Sequence, residues 1–413
     1  MLISPTTTRA FAGGCLSAAL AVGGEASASE PSACPRVEDV RVAPDIPTPV
    51  EVQVGVGPGA TEQQVPDHIR RAMESALDRI AADSQAPAVG AAIIVPDVGR
   101  WSATRGAGPR DLFSVGSIGM AVTATLVMDD VEAGRISLED TLSRWFPHLR
   151  GAENTTIDQL LTHHSGYASF NDFPALHGRL PPERPQRLVR FAVRRSASAC
   201  PTHALAWSNT NYVLLGLILE DEHDHLLHEV ILEKVLTPTG LGRSRAMDRA
   251  MPPPELLHGH DRDGSRVRSV DYGAPHGSGN LAMTAHDLAT LWHALLSGHI
   301  ASPQQVDLML AGWTRMQPPT PIGTATPSAL SGSGPELYYG RGMMLVRPPG
   351  HAPKHEADGW LVGHTGNIRG FSSMVAWSTS QDAVIAVTLN GSAQAESAFW
   401  ALHDALQTAT ETP

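Results

Sequence analysis

The sequence predicts an α+β domain whose sheet is interrupted by a long helical insertion. Strand signals cluster near both ends of the chain, a mostly helical region separates them, and an amphipathic helix lies at each extremity. Asp67 is positioned to cap the first helix, in which Ile69, Met73, Ala76, Leu77 and Ile80 follow a 3.6-residue period. Ala88–Val95 and Arg100–Thr104 flank Pro96-Asp97-Val98-Gly99, a hairpin signal. From about Ser117 to Thr239 the chain reads as helix, punctuated by Gly-Arg, Ser-Gly and Pro-Pro breaks. Strands return at Tyr338–Val346, Trp360–His364, Phe371–Trp377 and Ala383–Leu389, and Ala395–Thr408 reads as the closing helix. No internal repeat is visible.

The 413 residues allow two or three domains, or one large bilobed one. With 38 glycines and 32 prolines the chain stays below the roughly 25–30% that marks low-complexity sequence. A net charge of −12 without a basic run argues against nucleic acid and anionic membranes as partners. Basic charge is carried almost wholly by arginine, since Lys234 and Lys354 are the only lysines. That scarcity matters below.

Residues 1–28 hold Arg9, an Ala/Gly/Leu/Val-rich stretch from Ala10 to Gly24, and Ala26-Ser27-Ala28. A basic start, an apolar middle and a small-residue end read as a secretory signal peptide, cleaved so that the mature chain begins near Ser29. Export to the periplasm or the medium follows. The stretch is shorter than the about 18–20 apolar residues of a membrane anchor, and no later segment is apolar enough to span a bilayer. Residues 29–64 read as an extended Pro/Gly/Val-rich leader, and 65–410 as the folded domain. Two cysteines remain after cleavage, Cys34 and Cys200, and the sequence leaves both a disulfide and two free thiols open.

Three short stretches carry candidate chemistry. Phe113-Ser114-Val115-Gly116-Ser117-Ile118-Gly119-Met120 sets a serine at the start of a helix, and Trp207-Ser208-Asn209 opens another. Gly363-His364-Thr365-Gly366 ends a late strand. Between and around them lie Leu160-Leu161-Thr162-His163-His164-Ser165-Gly166, Gly277-Ser278-Gly279-Asn280-Leu281, Thr284-Ala285-His286-Asp287-Leu288 and Tyr339-Gly340-Arg341-Gly342. Each piece alone is weak, but seven in order are not. Over roughly residues 65–410 the chain resembles the serine β-lactamase and penicillin-binding-protein superfamily, nearest its class C β-lactamase, D-aminopeptidase and esterase branch.

The resemblance implies a bilobed fold. An antiparallel sheet flanked by helices (about 65–115 with 270–410) would face a helical lobe (about 116–269), with Ser117 between them. It implies acyl-serine hydrolysis or transfer on an amide or ester, without cofactor or metal. The matching site residues are Ser117, Asn209 and His364, with Ser117, Gly366 and Asn367 at the oxyanion hole and cleft. In that family the motifs are S-x-x-K, Y-x-N and K-T-G or H-T-G. A serine hydroxyl is a poor nucleophile until a base takes its proton, and a lysine at i+3 lies on the same helix face.

Here the pattern departs twice. The lysine position is Met120 and the tyrosine position is Trp207. Methionine takes no proton, and an indole N–H only donates. Neither lysine restores the motif, because Ile231 and His351 stand three residues before them. The reading is a hydrolase with slowed or lost chemistry. The alternatives are a pseudoenzyme holding a small molecule, a peptide or a protein partner in the cleft, or a rewired base drawn from His364, His163, His164 or Tyr272. For Ser117 the bland alternative is a helix cap, worth about 1 kcal/mol.

Other motifs read as structure. His258-Gly259-His260-Asp261-Arg262-Asp263 departs from the H-x-H-x-D-H zinc pattern, and Asp261-Arg262-Asp263-Gly264 reads as a hairpin turn. His223, His225 and His228 fall on a solvated helical stretch. No G-x-S-x-G elbow, P-loop or dinucleotide fingerprint is present.

Overall fold

The structure is a computed structural model that describes residues 63–173, 185–197, 199–247, 252–268, 273, 275–316, 336–347, 359–391 and 393–411. The expected signal peptide and most of the leader, with Cys34, Tyr272 and Lys354, lie outside the described residues. Cys200 is disulfide-bonded.

Eleven strands among the described residues run in chain order as β1 (Val89–Val95), β2 (Gly99–Arg105), β3 (Phe113–Ser114), β4 (Arg245–Ala246), β5 (Leu281–Met283), β6 (Thr314–Arg315), β7 (Glu336–Tyr339), β8 (Met344–Arg347), β9 (Leu361–Ile368), β10 (Phe371–Ser378) and β11 (Ala383–Leu389). Eight form one antiparallel sheet, ordered β2-β1-β11-β10-β9-β8-β7-β6. A second, small sheet is ordered β3-β5-β4. The helices are α1 (Asp67–Ser84), α2 (Gly119–Glu132), α3 (Ile157–Leu161), α4 (Pro185–Arg195), α5 (Asn209–His223), α6 (Leu227–Ile231), α7 (Ala285–Leu296), α8 (Pro303–Leu310) and α9 (Ala395–Glu411). This is the α+β class expected.

Both faces of the sheet are covered, which explains the sequence of its central strands. In β1, Val89, Ala91 and Ile93 pack with Met73, Leu77, Phe399 and Leu402 of α1 and α9. Ala92 and Ile94 face the opposite core, which holds Leu288 and Trp292 of α7. A strand buried on both faces reads as a continuous apolar run rather than an alternation. Helices α2 and α5 are buried nearly all round, from Gly119 to Met128 and from Thr210 to Leu219, as expected of helices inside a core.

Three local expectations are corrected. Asp67 does not cap α1: Pro66 holds that position, and the Asp67 carboxylate accepts from Arg70 within the first turn. Tyr338–Val346 is two strands rather than one, because Gly342 turns the chain with φ +83 and β7 pairs back onto β8. Trp360–His364 does not end its strand at the Gly363–Gly366 motif. Strand β9 continues through it to Ile368, held by β10 in the register His364↔Val375 and Gly366↔Ser373. The 261–264 turn is present, with the Gly264 N–H donating to the Asp261 carbonyl at 2.9 Å. His223 Nε2 lies 3.1 Å from Asp130 Oδ1.

The β7–β8 turn is anchored by a buried ion pair. Arg341 Nε donates to Asp158 Oδ1 of α3 at 2.6 Å, and its Nη1 donates to the carbonyls of Leu308 and Ala311 at the end of α8. The Arg341 side chain is only 4% exposed. Removing one partner of such a pair strands a desolvated charge, which costs about 3–5 kcal/mol. Asp158→Ala is therefore expected to lower the unfolding free energy in denaturant by about 3 kcal/mol. The double change Asp158→Ala with Arg341→Met should recover only part of that loss, because the Leu308 and Ala311 carbonyls then lose their donor.

Candidate active site

Ser117 sits in a tight 3-10 turn, Gly116–Ile118, that feeds directly into α2. The turn follows β3, whose continuation is fixed by the Val115 N–H donating to the Leu281 carbonyl at 3.0 Å. Two glycines bring it against β9. Gly116 has φ +54, and a Cβ there would lie 3.0 Å from the Asn367 nitrogen. A Cβ on Gly366 would overlap the Val115 carbonyl oxygen. A third, Gly279, backs the turn from the Gly277–Leu281 segment: its Cβ would meet Gly116 C and O at 2.8 Å.

Beside the turn, β8 pairs with β9 only over Leu361–Gly363. From His364 onward β9 is bonded in the sheet to β10 alone. Ser117 is half-buried, and among the described residues its hydroxyl has no hydrogen-bond partner. It caps nothing: the turn is capped at Val115, and no side chain supplies the bond.

Behind Ser117 lies a cluster of aromatic and imidazole side chains. Met120, three residues on, is fully buried, and its Sδ lies 3.7 Å from the Tyr339 hydroxyl. That hydroxyl also lies 3.4 Å from the Tyr212 hydroxyl and 3.3 Å from His364 Nε2. Tyr212 in turn donates to the Leu161 carbonyl at 2.8 Å. His364 Nδ1 lies 2.5 Å from the Thr365 carbonyl oxygen. A carbonyl only accepts, so Nδ1 carries the ring proton and Nε2 offers its lone pair to Tyr339.

His163 accepts the Ser208 N–H at Nδ1 (3.2 Å), which leaves the ring proton on Nε2, a buried atom without a partner among the described residues. Its ring stacks on Trp207 at 4.3 Å and tilts against Tyr339 at 4.8 Å. Trp207 meets Tyr339 edge-on at 5.1 Å and donates its indole N–H to Asn209 Oδ1 at 3.2 Å.

Every group in this cluster is uncharged at neutral pH. Burial pulls His364 down to about 4 and holds His163 well below the usual imidazole range. Burial likewise raises the Tyr212 and Tyr339 phenols. The nearest arginine in sequence to Tyr339, Arg341, is turned away into Asp158.

The structure thus brings Met120, Trp207, Asn209 and His364 into one contact network, with Ser117, Gly366 and Asn367 joined by the glycine contacts. His164 Nδ1 lies 3.0 Å from the Thr162 hydroxyl. Asn367 is exposed and its Oδ1 accepts from Ser372. Tyr339 was not among the expected site residues. A tyrosine at the end of a strand, before a Gly-x-Gly turn, gives the same sequence signal whether it packs or lines a site.

The Beta-lactamase family model matches residues 67–409. The chain belongs to the beta-lactamase family. Among curated relatives, penicillin-binding protein 4* of Bacillus subtilis (strain 168) is 24% identical over 285 residues, covering 64% of this chain and 57% of that one. The chain spans about half the length of the curated relatives it matches. Among solved structures, D-amino acid amidase from Ochrobactrum anthropi SV3, complexed with L-phenylalanine amide, superposes with a TM-score of 0.69 at 21% identity over 83% of this chain and 99% of the other. A D-stereospecific amidohydrolase from Streptomyces sp. gives a TM-score of 0.65 at 26% identity, over 82% and 98%. Within this beta-lactamase-family fold, no group of three or more His, Cys, Asp or Glu among the described residues is arranged to hold a metal.

The neutral imidazoles make the protein acid-sensitive. Unfolded histidines protonate near pH 6.5, whereas His364 resists until about 4. Between those values the unfolded state binds more protons, so the His364 contribution to stability falls as the pH is lowered through this window and levels off below it. His364→Gln should reduce the slope of unfolding free energy against pH by up to about 1.4 kcal/mol per unit.

Proposed function

We propose that this chain is an exported beta-lactamase-family protein that holds an amide or ester ligand beside Ser117 and transfers its acyl group to that serine slowly. The observation that carries this reading is the contact between Met120 Sδ and the Tyr339 hydroxyl. It fills the S-x-x-K lysine position with a group that takes no proton. General-base assistance is worth about 10²–10⁴-fold, and that factor is missing. Oxyanion stabilisation, worth about 10²–10³, does not depend on the lysine. The turn at Gly116–Ile118 against the one-sided half of β9 supports its retention.

A rewired base has less support. His364 Nε2 faces Tyr339, and His163 Nδ1 is taken by the Ser208 N–H. The pseudoenzyme reading is supported by the joint nature of the change. Removing one member of a buried polar pair strands the other, whereas replacing both is tolerated. The occupant of the cleft is then a small molecule, a peptide or a protein partner, bound without turnover. Export rests on residues 1–28. No helix among the described residues is long and apolar enough to cross a membrane.

Incubation with an activated ester or a fluorescent penicillin, followed by intact mass, tests the reading. The parent should gain at most one adduct, slowly, and Ser117→Ala none. Turnover at the ordinary enzymatic rate of about 1–10³ s⁻¹ would overturn the slowed chemistry. An esterase rate persisting in Ser117→Ala would overturn the placement of the nucleophile.

A further inference from the structure

We propose that a small cavity between α5, α6 and the Gly277–Leu281 segment is a second binding site, one that takes a short primary ammonium ion with an apolar tail. It does not rest on the acylation reading above, because none of its lining residues belongs to the cluster at Ser117.

The cavity has a volume of about 250 Å³, and Glu220, Leu226, Leu227, Met247, His276 and Asn280 are among the residues that line it. Sites for drug-sized ligands run to about 300–1,000 Å³, so the molecule that fits here is short.

Two oxygens on these walls have no hydrogen-bond donor among the described residues. Glu220 Oε1 accepts from His276 Nε2 and from the Leu227 N–H, each at 3.0 Å, which leaves Oε2 without one. Asn280 faces the Met247 carbonyl at 3.4 Å. A carbonyl only accepts, so the atom facing it is Nδ2, and Oδ1 is the one left over. Asn280 is only 3% exposed. Neither oxygen is sealed inside the core, so each opens onto the space its side chain lines. Acceptors held out of bulk water without a donor are costly to the fold, and a ligand that brings donors relieves that cost.

Charge selects among such ligands. Among the described residues no lysine or arginine bonds to Glu220, whose neighbours are the imidazoles of His276 and His228. Burial alone would raise its pKa, but the hydrogen bonds from His276 and Leu227 outweigh burial and hold the carboxyl below its usual value. The carboxylate is therefore charged at neutral pH. His276 Nδ1 is turned to Gly216 and is buried without a partner among the described residues, so that ring offers its proton to Glu220 at Nε2 alone.

The remaining wall is apolar. Leu226 is 52% exposed, more than any other large hydrophobic side chain among the described residues, and Leu227 and Met247 are buried beside the cavity. A carboxylate ligand would be repelled by Glu220. A neutral alcohol brings one proton and no charge, whereas an ammonium brings three donors and the missing cation. An alkyl tail then covers Leu226.

The test is an NMR titration of the full chain with n-butylammonium, n-butanol and butyrate at about pH 8, above the ordinary imidazole range. The parent is expected to bind butylammonium at least about fivefold more tightly than the other two, as suits a charge-assisted contact. The shifts should fall at Glu220, Leu226 and Asn280 and spare Ser117. Glu220→Gln keeps an oxygen for His276 and Leu227 and removes the charge, so the preference for the cation should vanish. Leu226→Ser should weaken butylammonium about threefold through lost apolar contact and leave methylammonium unchanged.

No binding of butylammonium to the parent would overturn the proposal, as would butanol or butyrate binding equally well. So would a cation preference that survives in Glu220→Gln, or shifts centred on Ser117. Should Glu220→Gln fail to fold, Leu226→Ser, changed at a half-exposed position, decides: butylammonium affinity equal to the parent's would overturn the proposal. The rate of Ser117 acylation, fast or slow, bears on the proposed function alone and leaves these titrations as they are.

Discussion

The close approach of the Ser117 turn to the half of β9 that β8 leaves uncovered organises everything around the site. Any side chain at Gly366 would strike the Val115 carbonyl, and one at Gly116 would crowd the Asn367 nitrogen. With both positions bare, the turn rests on the strand and α2 starts at a set place and angle. That start decides where Met120 points, because a residue three positions on from Ser117 lies on the same face of the helix. The third support, Gly279, belongs to a segment tied to α2 by the Thr123 hydroxyl donating to the Gly277 carbonyl at 2.7 Å. His276, at the head of that segment, faces Glu220 of α5 at 3.0 Å.

Within that frame the buried cluster is a consistent uncharged solution. An ammonium at position 120 would bring a charge into a space lined by Tyr339, Tyr212 and His364. Methionine needs no compensating partner, and its polarizable sulfur tolerates both hydroxyl and ring neighbours. Yet the walls remain rich in acceptors. His364 Nε2 and the phenolic oxygens of Tyr339 and Tyr212 all lie around one point. The Tyr339 hydroxyl brings a single proton to its three neighbours there. The surroundings therefore suit a cation donor, which Met120 is not. On the opposite rim, Trp207 with His163 forms a rigid stack where the motif would have a phenol.

Much of this was legible in the sequence where a period was long and uninterrupted. The α1 face from Ile69 to Ile80, the β1–β2 hairpin, and the apolar runs that became β10 and β11 emerged within a residue or two. The run from Tyr338 to Val346 misled because it was read as one strand through Gly340-Arg341-Gly342, where Gly342 with φ +83 reverses the chain. The identities at positions 120 and 207 were legible because motif spacing is local: Met120 and Trp207 are read by counting from Ser117 and Asn209. What surrounds Met120 was not, because Tyr339 is 219 residues from it and meets it only through the fold. The neutral state of His364 and His163 was likewise hidden, since burial, which sequence spacing does not report, sets it.

The most direct measurement of the central claim is the rate of Ser117 acylation by an activated ester in the variant carrying Met120→Lys with Trp207→Tyr. If the cluster still has the shape and acceptors of a working site and lacks only its proton-transfer groups, this variant should acylate at least about tenfold faster than the parent, a fraction of the usual general-base factor. Either change alone should do little, because it introduces one polar group without its partner. A double variant that is folded yet acylates no faster than the parent would contradict the account.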